Sequence, residues 1–367
     1  MTGGRASRPS DGLGATLRPP LRTRCLLAAL LLAPLLACAT PETAPPGPWA
    51  ENGGGAPSLA EDSFTARDGL TLPLRRWLPE EGPPRGVFLG LHGFNDYSKA
   101  FEGPGEALAE RGFAVYAYDQ RGFGRAPHRG LWPGTEALTR DLADLAGLLR
   151  QRYPGTPLYL IGESMGGAIL MAAASSPEPP SFDRLILSSP AVWSRGTMPF
   201  YQTATLWLAI RMFPALKVSG GGYKVQASDN IEMLIGLGRD PLFIKETRVD
   251  ALYGLTNLMD RAYEAAEDLP GPALLLYGER DQLVPKAPTL DVWRRLPKNG
   301  KARGQRVALY EDGWHMLLRD LRGAQVLGDI LAWIEDPEAP LPSGADANAV
   351  GYLARSAVIV RPERIDP

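Results

Sequence analysis

The sequence predicts an α/β protein: a mostly parallel central sheet with helices on both faces, interrupted by one helical insertion. Three observations predict it. Short, nearly continuous apolar runs recur through the middle of the chain, as expected of strands buried on both faces. Segments of helical period alternate with them, and strand–helix–strand order implies parallel pairing between two helical layers. One long stretch, 192–269, carries no strand signal and is rich in large apolar groups.

The elements follow in chain order. Arg5, Arg8, Arg18, Arg22 and Arg24 precede CLLAALLLAPLLA (25–37), an apolar run too short to span a bilayer comfortably. It ends in Leu35-Leu36-Ala37-Cys38, which resembles a bacterial lipobox. That resemblance implies a removable signal over 1–37 and a lipid on Cys38, an anchor that would hold the chain to a membrane. Ala39 and Thr40 follow Cys38, and without an Asp there the implied destination is the outer membrane. The other reading is an ordinary secretory signal, an incidental Cys38 and a periplasmic protein. Residues 38–58, rich in Pro, Gly and Ala, read as a tether.

A domain over 59–336 comes next. SFTARDGLTLPLRRW predicts a hairpin turning at Asp68-Gly69. Strands are expected over 87–93, 113–119, 157–162, 183–189, 272–278 and 305–311. Helices are expected over 135–152, where Leu138, Leu142, Leu145, Leu148 and Leu149 keep to one face, and over 165–175 and 322–335. A structureless loop of the length of 192–269 is improbable in a compact domain. That segment is expected to be a helical lid over the end of the sheet, the alternative being more core. Residues 337–367 form a Pro- and Ala-rich tail, lying on the domain or partly disordered.

Composition narrows the function. A formal net charge of -2 gives no reason to expect nucleic acid as a partner. Both cysteines, Cys25 and Cys38, precede the domain, and only His92, His128 and His315 are available, so no metal site and no cofactor are expected.

Gly162-Glu163-Ser164-Met165-Gly166 sits between a strand run and a helix run, the context that G-x-S-x-G requires to expose a serine hydroxyl. Serine is a weak nucleophile and needs a base. His315, in YEDGWHMLLRD after the last strand, is placed to supply it, whereas His92 shapes a turn and His128 is a solvated surface residue. The base needs an acid to hold its tautomer. Asp281, just after the 272–278 strand, fits the Ser, Asp, His order, with Glu279 and Asp312 as rivals. An oxyanion needs two donors: the amide of Met165 at the helix N-terminus, and that of Phe94 in the loop after the 87–93 strand. A plain tight turn is the alternative for Phe94.

With LHGFNDYS, YDQRGFGRA, GESMGG, LLLYGERDQLVP and DGWHMLLRD in this order, the chain resembles the α/β-hydrolase superfamily, and within it the monoacylglycerol lipase, lysophospholipase and serine aminopeptidase-like group. The likeness covers roughly residues 60 to 336. It implies a Ser164–Asp281–His315 triad, Phe94 and Met165 at the oxyanion hole, a lid over 192–269 and a small acyl ester as substrate. Two departures concern the substrate: Glu163 stands where such lipases often carry His, and Arg125-Ala126 closes the YDQRGFGRA loop. An aminopeptidase or amidase on the same triad, its substrate ammonium held by lid acids Glu232, Asp240, Glu246 and Asp250, is the competing enzymatic reading. A non-catalytic lipid-anchored protein on the same fold is the third.

Overall fold

The alternation of apolar runs becomes a nine-stranded sheet. The computed structural model describes Met1 and residues 40–219, 225–297 and 304–359. The chain divides into two units, Met1–Thr40 and Pro41–Pro367, and every element named here belongs to the second. Residues 2–37 of the leader, and Cys38, lie outside the described residues.

The strands are β1 (Ser58–Leu59), β2 (Ser63–Thr65), β3 (Thr71–Trp77), β4 (Val87–Leu91), β5 (Ala114–Tyr118), β6 (Leu158–Glu163), β7 (Arg184–Ser188), β8 (Lys217–Val218), β9 (Thr247–Arg248), β10 (Ala273–Gly278) and β11 (Arg306–Tyr310). The sheet order is β1-β2-β3-β5-β4-β6-β7-β10-β11. From β5 to β11 all pairings are parallel, and the N-terminal hairpin adds the antiparallel edge. Each expected strand run overlaps an observed strand, with β6 ending one residue beyond its run, at Glu163. The helices are α1 (Glu102–Ala109), α2 (Thr135–Arg152), α3 (Met165–Ala174), α4 (Phe200–Met212), α5 (Ile231–Arg239), α6 (Val249–Ala265), α7 (Lys286–Arg295), α8 (Gly323–Glu335) and α9 (Ala345–Ile359).

Period-2 alternation sends neighbouring side chains of one strand into different cores. Leu89, Leu160, Leu275 and Tyr277 pack with leucines of α2 and the whole of α3. Phe88, Ile161, Leu274 and Leu276 pack on the other face with Leu108 of α1 and Ile330 and Trp333 of α8. Burial on both faces is why these strands read as unbroken apolar runs.

On α2, Leu138, Leu142, Leu145 and Leu149 are buried, while Leu148 lies at the edge of the stripe. The same helix buries two carboxylates that apolar periodicity does not show. Asp141 accepts 2.6 and 2.7 Å hydrogen bonds from Arg121, whose guanidinium also grips Asp68 at the hairpin turn. Asp144 pairs with Arg67. These bonds dock the hairpin onto the helical layer.

Two expectations change and one open alternative is decided. Residues 41–57 are not a free tether: Ala44 donates to the Trp132 carbonyl at 2.9 Å, Gly47 to Asp68 Oδ2 at 2.9 Å, and Glu42 pairs with Arg248. Fixed acceptors capture the backbone without apolar periodicity, and Gly47 is required because a Cβ there would lie 2.4 Å from the Asp68 carbonyl oxygen. Of the two readings of the tail, lying on the domain is the one observed: it contains α9, packed against β11, with Asp346 paired to Arg306. The expected lid also divides. Helix α6 packs on α3 and buries Leu258, Met259 and Ala262 in the main core, so 249–265 belongs to the helical layer. The rest of the segment holds α4, α5 and the antiparallel pair β8–β9, whose two-residue strands are too short to leave a sequence signal.

Candidate active site

The stretch Leu158 to Ala174 is buried throughout, with one exception: Ser164 is partly exposed. It joins β6 to α3 at φ 54° and ψ -113°, a conformation that costs a non-glycine residue of order 1–3 kcal/mol and persists only where the surroundings impose it. Here they do. Ser164 N–H donates to the Ser188 carbonyl at 2.9 Å, and its own carbonyl accepts from Ala168 and Ala191 at 3.0 Å each. The flanking glycines are steric necessities, since a Cβ on Gly166 would sit 2.1 Å from the Leu91 carbonyl oxygen and one on Gly162 would sit 2.4 Å from the Gly166 carbonyl carbon. Gly166→Ala should therefore lower stability by about 2–3 kcal/mol, measured as a lower urea midpoint. An unchanged midpoint would mean that the elbow is looser than this packing.

The loop after β4 lies beside Ser164: a Cβ on Gly93 would be 3.4 Å from that of Ser164. His92 holds the loop. It is fully buried, its Nδ1 donates to the Gly93 carbonyl at 2.8 Å, and its Nε2 accepts from Gln120 N–H at 3.0 Å. Burial, the largest influence, pushes its pKa down and keeps the ring neutral. This is the turn-shaping role expected of it, and His128 is exposed on the surface, again as expected. Among the described residues, neither the Phe94 nor the Met165 amide donates a hydrogen bond to another backbone group.

Asp281 and His315 come together. Asp281 Oδ2 accepts from His315 Nδ1–H at 2.7 Å, while Oδ1 accepts from the amides of Leu283 and Val284 at 2.8 and 3.0 Å. The carboxylate is thus fixed from both sides, which leaves Nε2 of a neutral His315 as the basic nitrogen. The rivals are engaged elsewhere: Glu279 pairs with Lys286 at 2.9 Å, and Asp312 with Arg280 and Arg322. Burial pushes the His315 pKa down most strongly of any single influence, but the charge and hydrogen bond of Asp281 and the charge of Glu163 together raise it above its ordinary value.

One cluster escaped the motif reading. Arg319, four residues after His315, lies 2.5 Å from Glu163 and 2.8 Å from Asp96. Glu163 immediately precedes Ser164, so this pair brings the His315 loop against the elbow. The only sequence signal was Glu163 itself, a charge inside an apolar strand end. Residues of the 192–269 segment grip the same loop: Ser228 donates to Asp320 at 2.6 Å and Asn230 to the Arg319 carbonyl at 3.1 Å, while Met316 N–H donates to the Ala227 carbonyl at 3.0 Å. A groove of about 550 Å³ runs between α1, α5 and α8. Arg319 and Asp96 line it, but Ser164, Asp281 and His315 do not, so it adjoins the back of the cluster and is not the place of the exposed hydroxyl.

A family model described as Serine aminopeptidase, S33, matches residues 82–322. The chain belongs to that family. Its fold is that of the α/β-hydrolases, and this S33 family member is similar to the monoacylglycerol lipase of Mycolicibacterium smegmatis, 25% identical over 75% of this chain and 96% of that protein. It is 27% identical to the monoglyceride lipase of Homo sapiens, over 74% of this chain and 89% of the relative. Among solved structures, the Paleococcus ferrophilus monoacylglycerol lipase superposes with a TM-score of 0.60 at 23% identity, covering 73% of this chain and 99% of its own. A soluble variant of the Saccharomyces cerevisiae monoglyceride lipase reaches 0.63 at 20% identity, over 77% and 95%. The chain is accordingly a hydrolase of the α/β class.

Proposed function

We propose that the protein hydrolyses carboxylic esters of acyl lipids, of monoacylglycerol or lysophospholipid type, through an acyl-enzyme on Ser164. The observation that carries this reading is the partly exposed Ser164, held at φ 54° in an otherwise buried stretch. In the proposed sequence Ser164 Oγ attacks the ester carbonyl while His315 Nε2 takes its proton, and Asp281 stabilises the imidazolium. The amides of Phe94 and Met165 receive the oxyanion. Collapse breaks the bond to the alcohol oxygen, which leaves with the proton from His315. Water, deprotonated by His315, then attacks the acyl-enzyme, and the fatty acid departs as Ser164 regains its hydrogen.

The lid supports a lipid substrate. Phe200, Tyr201, Trp207, Leu208, Phe213 and Leu216 are all exposed there, far more apolar surface than a solvated helix needs. Residues 192–228 also contain Arg195, Arg211, Lys217 and Lys224 and no Asp or Glu. The relatives that carry lipase names point the same way. The lid acids give the amide reading less support, since Asp250 is paired with Arg248, and Asp240 accepts from Tyr97 at 2.7 Å. Kinetics on a panel of monoacylglycerols, lysophospholipids and a proline anilide separate the two. The expected kcat/KM is at least about tenfold higher for the best acyl ester, a 1.4 kcal/mol preference, and a higher value for the anilide would reverse the assignment.

We also propose that Cys38 is lipidated and holds the enzyme at the bacterial envelope, in the outer membrane. No described helix is long and apolar enough to cross a bilayer. Metabolic labelling with a clickable palmitate should mark the wild type and spare Cys38→Ser. Equal labelling of both would return the protein to the ordinary secretory reading.

A further inference from the structure

The reaction proposed above needs three loops in register: the Ser164 elbow, the 93–96 loop and the loop carrying His315. One guanidinium joins them. Arg319, on the His315 loop, spans Glu163 beside Ser164 and Asp96, two residues beyond Phe94. Its side chain is 9% exposed, and those of Asp96 and Glu163 are 3% and 4%. Burying a cation between two anions carries a desolvation cost that packed apolar groups would not incur. Stability alone therefore gives no reason to place this cluster here.

We propose that Arg319, held between Glu163 and Asp96, is a positioning residue that locks the His315 loop in register with the nucleophile elbow and the oxyanion loop. The inference rests on the Ser164–His315 reading and adds a role for the residue that departs from the related lipases: Glu163 is the elbow's half of the lock. A planar fork can bring separate Nη groups to two carboxylates at once, here as a hydrogen bond to Glu163 and an ion pair with Asp96, which a lysine ammonium on a flexible stem does less well. The lock is also electrostatic. The charged groups acting on His315 are Asp281 from the loop after β10, Glu163 from the end of β6 and Arg319 from its own loop. Asp320, on the same loop, is bound by Ser228 and by the Trp314 amide. Removing the negative charge of Glu163 therefore moves the acid limb of the rate profile to lower pH, and removing the positive charge of Arg319 moves it to higher pH.

The test uses the full chain and a short, soluble p-nitrophenyl ester, with kcat, KM and pH profiles for Arg319→Gln, Arg319→Lys and Glu163→Gln. Arg319→Gln is expected to lose about a hundredfold in kcat, as a slight misplacement of reacting groups does, with KM little changed. Arg319→Lys should recover part of that loss, and the acid limbs of Arg319→Gln and Glu163→Gln should move in opposite directions. A purely structural role would lower the unfolding midpoint and leave the limbs in place, which overturns the inference, as does wild-type kcat in Arg319→Gln. If the Arg319 variants do not fold, the nearly isosteric Glu163→Gln decides: a limb moved to lower pH supports the lock and an unmoved limb refutes it. Ser164→Ala keeps the two readings apart. An active Ser164→Ala removes the underlying mechanism, whereas an inert one beside a fully active Arg319→Gln removes only the lock.

Discussion

Ser164→Ala is expected to lower kcat for ester hydrolysis by about a millionfold, the scale on which serine hydrolases respond to loss of the nucleophile, with binding largely kept. The effect is large because no other described hydroxyl combines the same features. Ser164 is strained at φ 54° and partly exposed within an otherwise buried stretch. Alanine preserves the three backbone hydrogen bonds at this position, so thermal unfolding should barely move. Fluorophosphonate labelling should vanish together with activity. Turnover within about tenfold of wild type, with labelling retained, would place the nucleophile elsewhere.

Asp281→Asn is expected to cost about ten-thousandfold in kcat, because an amide facing Nδ1 favours the wrong tautomer. Asparagine can keep the Oδ1 contacts to the Leu283 and Val284 amides, so the loop survives while its Nδ2–H points at His315. The sign of the pH effect follows from the same contacts. Asp281 supplies the charge and hydrogen bond that raise the His315 pKa, against the downward push of burial. Without them the pKa falls, and the acid limb of residual activity, which tracks neutral His315, moves to lower pH. Profiles of kcat/KM against pH for the two proteins check this. A limb that stays put, or a larger loss from Asp312→Asn, would transfer the role of the acid.

Much of the fold was legible because burial leaves a pattern. Strands covered on both faces must be apolar at every position, and Leu89 and Phe88 serve opposite cores with the same kind of side chain. The hairpin was legible at Asp68-Gly69, where Gly69 takes φ 85°. Helix α6 was not assigned correctly, since an amphipathic helix shows that it covers something but not what. Its Leu258 and Met259 would look the same under a lid or on a sheet. The docked 41–57 segment was missed for the opposite reason: backbone donors such as Gly47 N–H find acceptors regardless of side-chain pattern. That the tail lies on the domain was one of its two readings, but its helix α9, in a Pro- and Ala-rich stretch, was not foreseen.

For the site, the division is similar. The sequence by itself determined the candidate residues: one serine between glycines at a strand–helix junction, and one histidine and one aspartate just past later strands. Chain order and strand ends suffice for that, because a parallel sheet carries its loops to one edge. Tertiary structure decided which carboxylate faces which cation. Asp281 meets His315 while Asp312 meets Arg280 and Arg322, and Glu163, an oddity in the linear motif, meets Arg319 across 156 positions of sequence. Ion pairs of that range depend on the register of whole loops, which local spacing does not encode. Glu163 thus changes from a departure in a motif to half of a buried contact beside the nucleophile.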